Sequence, residues 1–146
     1  MQLGTLKDLD SILKLEEICF EPARQDSRRT LRRSLAHAHH EIWMALDGLL
    51  LCGALHLRFL KQALRIHSLA VSPCQRATGL GSKLLHFAID RGKEKHVRKI
   101  ILEADTSNPR LVEWYRRHHF VERDLLPDYY GPHTLAVRMT FTPEIQ

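Results

Sequence analysis

Residues 64–91, LRIHSLAVSPCQRATGLGSKLLHFAIDR, leave the backbone few choices. Leu64 to Val71 suits a short buried strand, and Ser72-Pro73 ends it, because proline has no amide to give to a central ladder. After Arg76-Ala77-Thr78-Gly79-Leu80-Gly81 the apolar spacing changes, and Leu84, Leu85, Ala88 and Ile89 fall on one face of a helix. Strand, glycine-bearing loop and helix start in that order form an anion site. The first amides of a helix have no internal partner, and its dipole favours negative charge there. Glycines at 79 and 81 let the backbone come close to a bulky phosphate. Glycine in such a loop also serves turn geometry alone, and the residues by themselves leave both readings open.

Two phosphate-binding loops are excluded. The order Gly81-Ser82-Lys83 is not the G-K-[ST] of a Walker A loop, and Leu84 stands where a dinucleotide fingerprint needs its third glycine. A net charge of +5 and a pI near 9.4 call for an anionic partner, which a multiply phosphorylated cofactor satisfies as well as nucleic acid does. Arg28, Arg29, Arg32 and Arg33 read most simply as the solvated face of a helix. Without aromatic platforms between the arginines or a helix-turn-helix pattern, no nucleic-acid partner is expected.

With 146 residues the chain is expected to be a single domain, 1–146, with a real core. Its longest apolar run is too short to cross a bilayer and no leader pattern opens it, so a cytoplasmic protein without a membrane partner is expected. Cys19, Cys52 and Cys74 are odd in number and far apart, which speaks against a disulfide framework or a cysteine zinc site. The pairs within His37-x-His39-His40 and His118-His119 lack an accompanying cysteine or a spaced H-E-x-x-H, so no metal is expected either.

In chain order, Thr5-x-x-Asp8 predicts a capped helix running to about Cys19, broken by Glu21-Pro22. Asp26 or Ser27 caps a second helix with Leu31 and Leu35 on its apolar side. Ile42–Leu46 and Leu49–Phe59 flank Asp47-Gly48 as a hairpin, and a break near Lys61-Gln62 leads into the strand at Leu64. Gly92 and the basic segment 93–99 read as a connection, and Lys99–Glu103 as a buried strand. Asn108-Pro109 starts a helix carrying Leu111, Trp114 and Tyr115. Phe120–Arg123 and Thr134–Phe141 are the last strands, joined by a loop that holds Tyr129-Tyr130. This order predicts a mixed α/β fold, a mostly antiparallel sheet covered by helices on both faces.

Val71-x-Pro73 followed by Arg76-x-x-Gly79-x-Gly81 resembles the acetyl-CoA motif of the GNAT N-acetyltransferases, R/Q-x-x-G-x-G/A. The stretch from Leu102-Glu103 through Asn108 to Trp114-Tyr115 and Phe120 resembles that family's second signature. Both motifs occur in the family's order and spacing, and the pattern looks most like the protein N-terminal (ribosomal-protein alanine) acetyltransferases. The resemblance implies acetyl-CoA as cofactor, held by Leu69, Ala70 and Val71 at the strand end. It also assigns to the cofactor Arg76, Ala77, Thr78, Gly79, Leu80, Gly81 and Ser82 in the loop, with Asn108 on the pantetheine arm. Further, it implies Glu103 as general base through water, Tyr115 as general acid to the sulfur, and the Val71 amide as the group that polarises the acetyl carbonyl.

The residues alone also allow blander roles. Glu103 can be a solvated strand-end carboxylate and Tyr115 a half-buried helix tyrosine. The carboxylate that some relatives carry on the earlier strand is missing here, where Arg65, His67 and Ser68 stand; His67 is a lesser candidate base. Tyr129 and Tyr130 resemble tyrosines lining a peptide groove, which implies a peptide or protein N-terminal α-amine as acceptor. They can equally be turn residues packed for their rings, and a small-molecule amine remains the alternative. Monomer and homodimer are both open. His119 replaces the family's usual glycine before Phe120; a histidine tolerates positive φ only at some cost, so the helix end and the acceptor groove can depart from the family.

Overall fold

The structure, a computed structural model, describes residues 1–144. Its strands are β1 (Gln2–Leu3), β2 (His40–Asp47), β3 (Leu50–Phe59), β4 (Ala63–Val71), β5 (Lys99–Asp105), β6 (Val121–Pro127) and β7 (Leu135–Phe141). Its helices are α1 (Leu9–Cys19), α2 (Arg28–Ala36), α3 (Leu80–Glu94) and α4 (Pro109–Arg117). The strands form one seven-stranded sheet in the order β1-β2-β3-β4-β5-β7-β6, antiparallel everywhere except between β4 and β5. That is the mixed, mostly antiparallel fold the sequence predicts.

Alternation along β3 and β4 sends side chains to two cores. Leu55, Leu57, Leu64 and Ile66 pack with Leu84, Leu85 and Ala88 of α3 and Val112 and Tyr115 of α4. Ala54 and Ala70 face the other way, against Leu9, Ile12 and Leu15 of α1 and Leu31 of α2. Helices therefore cover both faces. The Thr5 amide donates to the Asp8 carboxylate at 2.8 Å, and a 3₁₀ turn over Leu6–Asp8 leads into α1. Of the two candidate caps for α2, Ser27 takes the role, accepting from the Thr30 amide at 3.1 Å.

Several boundaries differ from the sequence reading. β1 is a two-residue edge pairing with Trp43 and Met44, too short to leave a periodic signal. The hairpin turns on Gly48 and Leu49 rather than Asp47-Gly48, with Gly48 at φ +61, the place a type II′ turn reserves for glycine. Gly92 lies inside α3 and not in a connection: a Cβ there would stand 3.0 Å from Ile100 Cδ1 and 3.1 Å from Val97 Cγ2, so the glycine serves packing. β5 continues to Asp105, which puts Glu103 within the strand rather than at its end. Phe120 is buried ahead of β6, and His119 takes φ +70, as its place before Phe120 requires.

A cleft where two strands part

β4 and β5 pair over three positions only, Ala63–Arg65 against Lys99–Ile101. Beyond them the strands diverge. A β-bulge contributes on the other edge of β4: His56 faces Ser68 and Leu57 faces Ile66, so His67 is the extra residue. The parted strands, α4 and the segment between α1 and α2 enclose a cleft of about 380 Å³. Leu69, Glu103, Tyr115, Tyr129 and Tyr130 all line it.

Glu103 is buried, with 3% of its side chain exposed, and is paired with the Arg65 guanidinium. The Tyr129 hydroxyl donates to the same oxygen, Oε1, at 2.9 Å, and the Tyr130 hydroxyl donates to the Glu103 carbonyl at 3.3 Å. The other oxygen, Oε2, is buried without a hydrogen-bond partner. The loop tyrosines are thus folded back onto this strand rather than packed for their rings alone. Arg65 is the charge that offsets the burial of the Glu103 carboxylate. A second pair beside it, Arg24 with Asp105, closes the cleft from the N-terminal side, and the Arg24 guanidinium lies 4.3 Å from the centre of the Tyr130 ring.

Tyr115 is 7% exposed, its ring edge-on to Trp114 and Phe120. Burial, with Tyr130 adding to it, pushes its phenol above the usual tyrosine range. His67, the lesser candidate base, turns instead toward Asp26, with Nε2 2.9 Å from Oδ2.

A second cavity of about 310 Å³ adjoins the first along β4 and α4, lined by Val71, Arg76, Ala77, Gly79, Gly81, Ser82 and Trp114. Ala77 at φ +66 and Gly79 at φ +85 turn the chain sharply into α3. The first helical bond runs from the Lys83 amide to the Gly79 carbonyl, so the amides of residues 80–82 precede it, and Gly81 and Ser82 line this cavity. A Cβ on Gly81 would point 3.6 Å from the Trp114 ring and 3.9 Å from Val71, filling the cradle. Arg76 folds back, its Nε donating to the Val71 carbonyl at 3.2 Å.

Four of the expected cofactor residues line neither cavity. Ala70 is buried on the opposite face among the α1 side chains. The Thr78 hydroxyl is bound to the Gln75 carbonyl, and Leu80 packs into the α3 core. Asn108 caps α4, accepting from the Leu111 amide at 3.2 Å, and lines neither cavity. Among the described residues no helix is long and apolar enough to cross a membrane.

Residues 9–120 match the Acetyltransferase (GNAT) family. Over 56 residues the chain is 38% identical to streptothricin acetyltransferase A of Bacillus subtilis (strain 168), a match that covers 38% of this chain and 32% of that relative. The fold superposes on the ribosomal-protein-S18-alanine N-acetyltransferase of Escherichia coli with a TM-score of 0.88 at 19% identity, covering 99% of this chain and 95% of that one. It also superposes on an aminoglycoside 6′-N-acetyltransferase complexed with coenzyme A, with a TM-score of 0.81 at 15% identity over the whole of both chains.

Proposed function

Because the chain belongs to the GNAT acetyltransferase family, we propose that it moves an acetyl group from acetyl-CoA to a primary amine by direct attack in a ternary complex, the acceptor being a peptide or protein N-terminal α-amine. One observation carries this reading: Glu103 and Tyr115 face a single cleft where β4 and β5 part, with the glycine-bearing start of α3 next to it. The α3 cradle fits a pyrophosphate, offering early helix amides and a Cβ-free face at Gly81. Acetyl-CoA supplies the activated acyl group; binding, orientation and proton handling fall to the chain.

Glu103 takes the proton of the incoming ammonium through a water, while Arg65 and Tyr129 hold Oε1 and fix the carboxylate. The Val71 amide polarises the acetyl carbonyl. Asn108, whose Oδ1 is spent on the α4 cap, would have only its side-chain NH₂ to offer the pantetheine arm that the family resemblance assigns to it. Tyr115 stays protonated at neutral pH and donates to the sulfur as it gains charge. A thiolate is a weaker base than this phenol, so hydrogen-bond donation rather than complete proton transfer is its part.

An α-amine, with a reference pKa of about 8 against about 10.4 for lysine, gives up its proton to a weak base. Tyr129 and Tyr130 stand over Glu103 at the cleft rim, where a peptide main chain approaches. The test is coenzyme A release from acetyl-CoA with short peptides bearing free N-termini, beside a matched set of polyamines, aminoglycosides and amino acids. Release with peptides, lost when their α-amines are blocked, is expected. Release with small amines alone would assign the cleft to a small-molecule acceptor.

A further inference from the structure

On the α1–α2 side of the cleft, three side chains from separate parts of the chain converge: Asp26 ahead of α2, His56 on β3 and His67 at the β4 bulge. Asp26 Oδ2 lies 2.9 Å from His67 Nε2 and 3.9 Å from His56 Nδ1, and all three atoms are within 4.8 Å of one another. His56 is 4% exposed, and its Nδ1 has no hydrogen-bond partner. Its other nitrogen is engaged, 2.9 Å from His40 Nδ1. In the tautomer whose Nε2–H donates to His40, Nδ1 turns a lone pair toward Asp26. The His67–Asp26 contact satisfies those two groups and does nothing for His56. A cation between the three would satisfy all of them.

We propose that Asp26, His56 and His67 bind a divalent transition-metal ion of the zinc class. Two imidazoles and one carboxylate are its donors; calcium and magnesium ask for oxygen throughout. Ligand atoms about 2.0–2.1 Å from a tetrahedral ion stand roughly 3.4 Å apart, between the 2.9 and 3.9 Å separations found here. The widest gap closes by a small turn of His67, whose side chain is 37% exposed and free to move. His40 holds the His56 ring by its second nitrogen, the outer partner that metal-bound imidazoles have. Glu16 steadies Asp26 by accepting its amide at 3.4 Å. Asp26 and His67 line the cleft, so the remaining coordination positions open onto it.

The experiment titrates chelator-treated protein with Zn²⁺ by calorimetry and with Co²⁺ by visible absorption. One ion per chain is expected, with Co²⁺ ligand-field bands of nitrogen and oxygen ligands. Expected losses are tenfold or more in affinity for His67→Ala and Asp26→Asn, and about tenfold for His40→Ala. The exposed His37 and His39 serve as controls, and the double change to alanine leaves binding intact. His67 is exposed, so its substitution tests the site without disturbing the buried His56. Three results would overturn the proposal: no stoichiometric binding, binding that survives His67→Ala but is lost with His37 and His39, or thiolate charge-transfer bands that place the ion on a cysteine. Heat and absorption report the ion directly, so the outcome stands whether or not the acetyl-transfer assay succeeds.

Discussion

Tyr115 and Glu103 suit the different roles proposed for them because their surroundings differ. The phenol is enclosed by rings and kept neutral, which suits a donor to developing negative charge. Glu103 is kept in place by a guanidinium and a tyrosine on one oxygen, and the other has no hydrogen-bond partner. Tyr115→Phe is expected to lower kcat about a hundredfold while leaving acetyl-CoA affinity within about threefold. Steady-state kinetics beside a binding titration checks this, and equal losses in both would sink the donor role. Both residues were legible in the sequence, since each sits in a short motif with its own spacing. Arg65 was not, because it meets Glu103 from 38 positions away, and a charge inside a strand says nothing of what it pairs with. Asp26, His56 and His67 were hidden for the same reason: the adjacent histidine pairs drew the eye, whereas the converging ones are brought together by a bulge that no local pattern announces.

At the scale of elements, the loop into α3 shows glycine in two capacities. Gly79 sits at φ +85 with open space around it, so its need is conformational. Gly81 has an ordinary backbone and an open face between Trp114 and Val71, so its need is room. Gly79→Ala is accordingly expected to cost about 1 kcal/mol of stability through backbone strain alone. Gly79→Glu adds a carboxylate at an anion site, and acetyl-CoA binding should fall by well over tenfold beyond the alanine variant. Thermal unfolding and calorimetric titration separate the two effects, and undiminished binding in the glutamate variant would mean that the pyrophosphate site lies elsewhere. The existence and type of α1–α4 and of the six longer strands could be read from periodicity and caps. Their ends could not: Gly92 reads as a break until the Ile100 side chain that excludes a Cβ is known.

For the molecule as a whole, the decisive feature is the three-position ladder between β4 and β5. To one side of it β1–β4 pair in antiparallel succession; to the other, β5, β7 and β6 do the same. Each half holds a hairpin of neighbouring strands, β2–β3 in one and β6–β7 in the other, that can begin to organise on its own, whereas the join brings together positions separated by the whole of α3 and carries little hydrogen bonding of its own. Loop closure must be met before such a join returns anything, so it belongs late in folding. Pulse-labelled hydrogen exchange during refolding is expected to protect the β2–β3 and β6–β7 amides before those of Leu64–Ile66 and Ile100–Leu102; the reverse order would refute this. The gap proposed for cofactor and acceptor is then also the last seam to close: the cleft exists because the sheet is left unfinished between β4 and β5.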